Sequence, residues 1–169
     1  MTHSDAVIRP AVPADLAAVT AINAHYVANT VITFEETPPT VADWQAKLAD
    51  LTARGFPFLA ADVGDEVAGY AYAGPWRPKP AYRHTVEDSI YLAPGHSGRG
   101  LGGALLGALI DGATAAGLRR MIAVIADAGD DRSIALHRRH GFTEAGRLTE
   151  VGFKLGRWVD TTLMERPLT

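Results

Sequence analysis

Glu87 sits in the alternating stretch Thr85-Val86-Glu87-Asp88-Ser89-Ile90-Tyr91-Leu92, which runs into a loop with glycine at 95, 98, 100, 102 and 103. A carboxylate on such a strand can take a proton from an attacking nucleophile, directly or through water. Partial desolvation would raise its pKa towards the working pH. An ordinary exposed strand glutamate is the competing reading. Asp88 faces the other way by strand alternation, so the two carboxylates are not expected to act as a pair. Five glycines exceed what a turn needs. The first turn of a helix has N–H groups without intrahelical partners, and its dipole adds positive potential. Glycines there let a phosphate approach the backbone. The loop is not a P-loop, because Gly100 is followed by Leu101-Gly102 rather than Lys-Ser or Lys-Thr. A dinucleotide fingerprint belongs to an early βαβ unit, whereas this loop comes late and its spacing differs. A merely flexible turn is the remaining alternative.

The elements that must position these groups follow from periodicity and punctuation. Val7 to Pro10 reads as a strand, and Pro13-Ala14-Asp15 opens a helix with Leu16, Val19, Ile22 and Tyr26 on one face. Ala28 to Thr40 is polar and interrupted, a loop. Thr40 caps a helix over Val41 to Ala53 that Gly55 stops. Strands over Phe58 to Val63 and Glu66 to Ala73 flank the turn Gly64-Asp65. A break from Gly74 to Pro80 precedes the strand Thr85 to Leu92. Leu101, Leu105, Ala108, Leu109, Gly112 and Ala116 line a helix ended by Gly117. Arg120 to Ala126 is nearly continuously apolar, as in a strand buried on both faces. Asp130 caps a helix over Asp131 to His140, and two strands follow, Phe142 to Phe153 and Trp158 to Arg166. The pattern predicts a mixed sheet with helices packed on it.

Composition narrows the chemistry. The 169 residues suit one domain spanning 1–169, and 47% hydrophobic with 21% charged residues is ordinary for a soluble globular chain. A formal charge of −3 gives no global attraction to nucleic acid or an acidic membrane. Without cysteine there is no disulfide, thiolate metal site or cysteine nucleophile. The six histidines lack ligand spacing and the acidic residues are scattered, so no metal is expected. Met1 to Pro10 has no apolar signal core and no run reaches spanning length, so a cytoplasmic location is expected.

Ser97-Gly98-Arg99-Gly100-Leu101-Gly102 resembles the acyl-CoA loop of the GNAT superfamily of N-acyltransferases, and Asp130-Asp131-Arg132-Ser133 through Gly141-Phe142 resembles that superfamily's second signature. The order of elements is similar along essentially the whole chain. Three further blocks, Ala71 to Leu92, Ser133 to Phe142 and Val151 to Glu165, resemble the phosphinothricin and methionine sulfoximine acetyltransferases. Ser97 stands where the superfamily usually has Gln or Arg, and Asp130 where it usually has Asn.

The resemblance implies an α/β GNAT fold, a mixed, mostly antiparallel seven-stranded sheet flanked by about four helices, and acetyl-CoA as acyl donor. It implies pyrophosphate against the N–H groups from Gly98 through Arg99, Gly100, Leu101 and Gly102 to Gly103. It places pantetheine beside Ile90, Tyr91 and Leu92, with an N–H near Leu92 as oxyanion donor, and adds Asp130, Ser133 and His137 to the cofactor site. Arg99, Arg132, Arg138 and Arg139 are candidates for the 3′-phosphate, each with a solvated surface charge as the alternative. It makes Glu87 the general base. His137 stands where many members carry a tyrosine general acid, with a dipole-stabilised helix histidine as the alternative; His140 and His96 read as structural or exposed.

For the acceptor, Arg77 and Arg83 suit carboxylate, phosphinate and sulfoximine oxygens. Phe34, Glu35 and Glu36 sit in the loop that covers the acceptor in this fold. Trp76 and Trp158 are candidate pocket walls or core aromatics. Lys154, Trp158 and Asp160 have no assigned role. The expected reaction is acetylation of the α-amine of a small amino acid or analogue within a ternary complex, by a homodimer that needs neither nucleic acid nor membrane. Acetylation of a polyamine, an antibiotic or a protein N-terminus, and a non-catalytic acyl-CoA sensor, are the alternatives.

Overall fold

A computed structural model describes residues 5–169. The beginning of the Met1 to Pro10 stretch discussed above, up to Ser4, lies outside the described residues. Seven strands form one sheet in the order β1-β2-β3-β4-β5-β7-β6. They are β1 (Ala6–Pro10), β2 (Phe58–Val63), β3 (Glu66–Pro75), β4 (Thr85–Leu92), β5 (Arg120–Ala126), β6 (Thr143–Lys154) and β7 (Arg157–Pro167). The helices are α1 (Leu16–Asn29), α2 (Val41–Ala53), α3 (Leu101–Ala115) and α4 (Arg132–Arg139). The β4–β5 pairing is parallel and the other five are antiparallel. This is the expected mixed, mostly antiparallel sheet with four helices.

Each face of the sheet carries its own core. On one face α3 sinks Leu101, Leu105, Leu106, Leu109, Ile110 and Ala113 against Ala61, Ala71, Val86 and Met121. Truncating one such leucine to alanine costs about 2–5 kcal/mol. On the other face α1 and α2 pack Leu16, Val19, Ile22, Trp44, Leu48 and Leu51 against Phe58 and Tyr70. Thr40 and Asp43 form a reciprocal capping box that starts α2. Arg9 on β1 ties this layer down: its guanidinium donates to Asp15 and to Asp62, each at 2.7 Å.

Three expectations need correction. The buried stripe of α3 keeps Leu101, Leu105 and Leu109 but turns towards Leu106, Ile110 and Ala113, leaving Ala116 exposed. Strand β5 is not buried on both faces. Met121 and Ala123 are buried, whereas Arg120 and Val124 are exposed, because the sheet opens beside this strand. Asp131, not Asp130, is the cap residue of α4; Asp130 instead accepts the Arg132 N–H at 3.0 Å.

Candidate active site

The site exists because two neighbouring strands part. β4 and β5 pair only at Thr85↔Arg120, Val86↔Met121 and Glu87↔Ile122. Beyond Glu87 they diverge, and a cleft of about 1100 Å³ runs through the opening from one face of the sheet to the other. The Trp76 N–H donates to the Thr85 carbonyl and the Ala93 N–H to the Ala68 carbonyl. Odd-numbered backbone groups of β4 therefore face β3, and those of Asp88, Ile90 and Leu92 face the opening. The Leu92 carbonyl accepts from the Tyr26 hydroxyl. The N–H groups of Ile90 and Leu92 lie on the edge that has lost its neighbouring strand.

On the α3 side the cleft is bordered by the glycine loop and the start of α3. Gly98 and Gly100 have φ of 77° and 76°, and Gly100 caps α3 in this left-handed conformation with no side-chain cap. Only glycine adopts that geometry without strain, and the bend turns the first turn of α3 towards the cleft. Gly102 and Gly103 line it. Ser97, Asp130, Ser133, Arg132 and Arg139 also border this half, whereas Arg99 and Arg138 do not, and Leu101 is buried in the core. Asp130 is paired with Arg132 at 3.2 Å, and this cation holds its carboxyl below the usual range.

On the opposite side the lining is side chains from widely separated segments. Glu87 stands at the last paired position of β4. Burial raises its pKa, the nearby Asp88 charge adds to the rise, and Lys47 opposes both. Lys47, on α2, donates to the Tyr72 hydroxyl at 3.2 Å and lies over that ring. Asn23 and Trp44 line the cleft with a buried Oδ1 and Nε1 that have no protein partner. The loop after α1 supplies Ile32, Thr33, Phe34 and Glu35. It is seated by β6: Lys154, 3% exposed, donates to the Thr33 carbonyl at 2.7 Å, and the Phe34 ring fills the space a side chain on Gly152 would need.

Several expected acceptor residues stand elsewhere. Glu36, Trp76, Arg77 and Arg83 do not line the cleft. Arg77 stacks over Trp76 at 5.2 Å, and Arg83 donates to the Pro80 carbonyl. Trp158 is 63% exposed and packs on Phe153, so it is no wall of this cleft. Asp160 accepts the Glu150 N–H and pairs with Arg147, closing an irregular stretch of β6. His137 does border the cleft, but both ring nitrogens are engaged: Nε2 with Asp88 at 2.8 Å, Nδ1 with the Ser133 carbonyl at 2.7 Å. Lys47 was missed by sequence reasoning. Its signal was its position three residues after Trp44, on one face of α2. Among the described residues no group of three His, Cys, Asp or Glu could hold a metal ion, and no helix is long and apolar enough to cross a membrane.

Comparisons with known proteins agree with this geometry. Residues 8–163 match the acetyltransferase (GNAT) domain. The chain is 46% identical to the phosphinothricin N-acetyltransferase of Alcaligenes faecalis, covering 91% of this chain and 78% of that one. It is 45% identical to the L-methionine sulfoximine/L-methionine sulfone acetyltransferase of Pseudomonas aeruginosa, covering 94% and 92%. The crystal structure of a GNAT superfamily phosphinothricin acetyltransferase from Sinorhizobium meliloti in complex with AcCoA superimposes with a TM-score of 0.91 at 48% identity, over 96% of this chain and 88% of that one. A divided parallel strand pair, a glycine-capped helix facing the gap and a match over nearly the whole length lead to one conclusion: the chain belongs to the GNAT acetyltransferase family.

Proposed function

We propose that this enzyme moves the acetyl group of acetyl-CoA onto the α-amine of a small amino acid or amino acid analogue, with Glu87 as the base. The observation that carries the reading is the position of Glu87. It stands where β4 leaves β5, between the glycine-loop half and the side-chain-lined half of one continuous cleft. Acetyl-CoA supplies a thioester whose C–S bond breaks as the new N–C bond forms, and the CoA thiolate leaves with the second proton the amine gives up. The N–H groups from Gly98 to Gly103 receive its pyrophosphate, and Arg132 and Arg139 are the cleft-lining cations for a further phosphate. The Ile90 and Leu92 N–H groups hold the carbonyl oxygen as negative charge builds on it. Glu87 takes the proton that the ammonium must lose, and its raised pKa suits that exchange. Cysteine is absent from the chain, so the transfer is direct within a ternary complex.

Lys47 is the counter-ion for the acceptor's anionic end. It is the cation on the side-chain half, within electrostatic reach of Glu87, so a zwitterion can set its ammonium towards Glu87 and its carboxylate towards Lys47. The names of the relatives support phosphinothricin, methionine sulfoximine and methionine sulfone as members of the acceptor class. A cationic acceptor such as a polyamine is the second reading, because Glu35 and Asp43 also line this half. It is weaker, since the Asp43 carboxylate is taken up by the α2 capping box. A cytoplasmic homodimer completes the proposal. Exposed Leu148, Val151, Phe153, Leu155 and Trp158 on the β6–β7 hairpin support self-association, which sedimentation checks.

The test is thiol release from acetyl-CoA over a panel of methionine sulfoximine, methionine sulfone, phosphinothricin, common amino acids, spermidine and a short peptide. Turnover on the first group with silence on spermidine is expected. Turnover on spermidine alone selects the second reading, and an unchanged rate in Glu87→Gln overturns the assignment of the base.

A further inference from the structure

Among the described residues, Asp88 and His137 form the one buried pair of ionisable side chains that the chemistry above leaves unused. Their side chains are each 5% exposed. Asp88 follows Glu87 on β4 but points to the α3–α4 face, while His137 comes from α4, the helix that follows β5. The pair therefore joins the two sides of the opening, one residue past the last β4–β5 register pair, Glu87↔Ile122.

The two contacts favour a doubly protonated ring. The Ser133 carbonyl accepts from Nδ1, and an ionised Asp88 accepts from Nε2. With both contacts made, His137 is an imidazolium beside a carboxylate, and it has no free nitrogen directed at a leaving thiolate. The charge facing it from β4 is Asp88. Phe142 covers the ring at 4.9 Å edge-on, the α4 neighbour Ser133 is neutral, and Glu87 lies on the opposite face of β4.

We propose that Asp88 and His137 are a positioning pair, a charged strut that replaces the missing strand hydrogen bonds at the mouth of the opening and sets the distance between the backbone of β4 and α4. Through it the protonation of His137 governs the alignment of the donor with Glu87, which carries the catalytic step. The inference rests on the acetyltransferase reading for its kinetic consequence, but not for its protonation state. Burial opposes the charge on the ring, while the Asp88 contact and the Ser133 carbonyl favour it, with a net rise in pKa. A raised histidine pKa stabilises the fold fully below the ordinary imidazole value, and that contribution is lost as pH climbs through the raised one.

Nitrogen-15 NMR of histidine-labelled protein without substrate tests the ring directly. Both His137 nitrogens are expected to be protonated at pH 7.5, with the ring titrating above the ordinary imidazole range. A neutral ring at pH 7.5 overturns the proposal, and because no turnover is needed, a wrong acceptor assignment leaves this result readable. Kinetics provide the second arm. Asp88→Asn is expected to lower kcat on the order of 10-fold to 100-fold by misalignment, to raise the KM for acetyl-CoA and to move the alkaline limb of kcat towards neutral pH. Asp88→Asn/His137→Asn should lose little more than either single variant. Wild-type kinetics in Asp88→Asn beside a large loss in His137→Asn would make His137 act alone, and would overturn the pair.

Discussion

The two halves of the cleft are built on different principles. The half proposed for the donor centres on one continuous segment from β4 through the glycine loop into α3, closed by residues of β5 and α4. The half proposed for the acceptor is mostly side chains, gathered from α1, the loop after it, α2 and β3, with β6 seating that loop from behind. A backbone site tolerates most side-chain drift but needs its glycines. A side-chain site changes specificity with single substitutions. One family can thus keep its acyl donor while its acceptors vary.

The contrast can be broken first at the junction. Glu87→Gln is expected to lower kcat on the order of 10²-fold to 10⁴-fold, with acetyl-CoA binding retained, as isothermal titration checks. Because its pKa is raised, wild-type activity should decline on acidification at a higher pH than an ordinary carboxylate would give. The sign for stability is opposite to that for activity. Ionising a group with a raised carboxyl pKa opposes folding above its unfolded value, so Glu87→Gln should have a higher Tm at neutral pH.

The donor half is tested next. A Cβ on Gly103 would lie 3.5 Å from the nearest His140 carbon, so a side chain fits. Gly103→Asp places a negative charge beside the proposed pyrophosphate site and should raise the KM for acetyl-CoA on the order of 100-fold. The acceptor KM should stay unchanged. Lys47→Ala should do the reverse, raising the amino acid KM about tenfold and leaving the acetyl-CoA KM alone. An acceptor with its carboxylate converted to an amide should not distinguish Lys47→Ala from wild type. The smallest effect is expected at Gly152→Ala, which displaces Phe34 and should raise the acceptor KM a few-fold.

This division also explains what could be read from the chain. The glycine loop, the Glu87 strand and the order of elements follow from neighbours in sequence, and β4 runs from Thr85 to Leu92 as expected. Lys47 was not found, because its relevance depends on Tyr72 on β3 and on Glu87, far along the chain. Arg77 and Arg83 were attractive as carboxylate ligands by type, yet the break after β3 carries them away from the cleft. The apolar run of β5 suggested burial on both faces, but apolar residues also line a cleft, and composition cannot separate these environments. Asp88 alternates away from Glu87 as expected, but its partner lies 49 residues further on.

The Lys154 contact with Thr33 spans 121 residues. A closure of that length gains little until most of the sheet is formed, since loop entropy must be overcome before the contact contributes. During synthesis the donor loop is complete while β6 has yet to be made. The nascent chain therefore completes the glycine loop proposed to cradle the acyl donor before it has made the strand that seats the loop opposite.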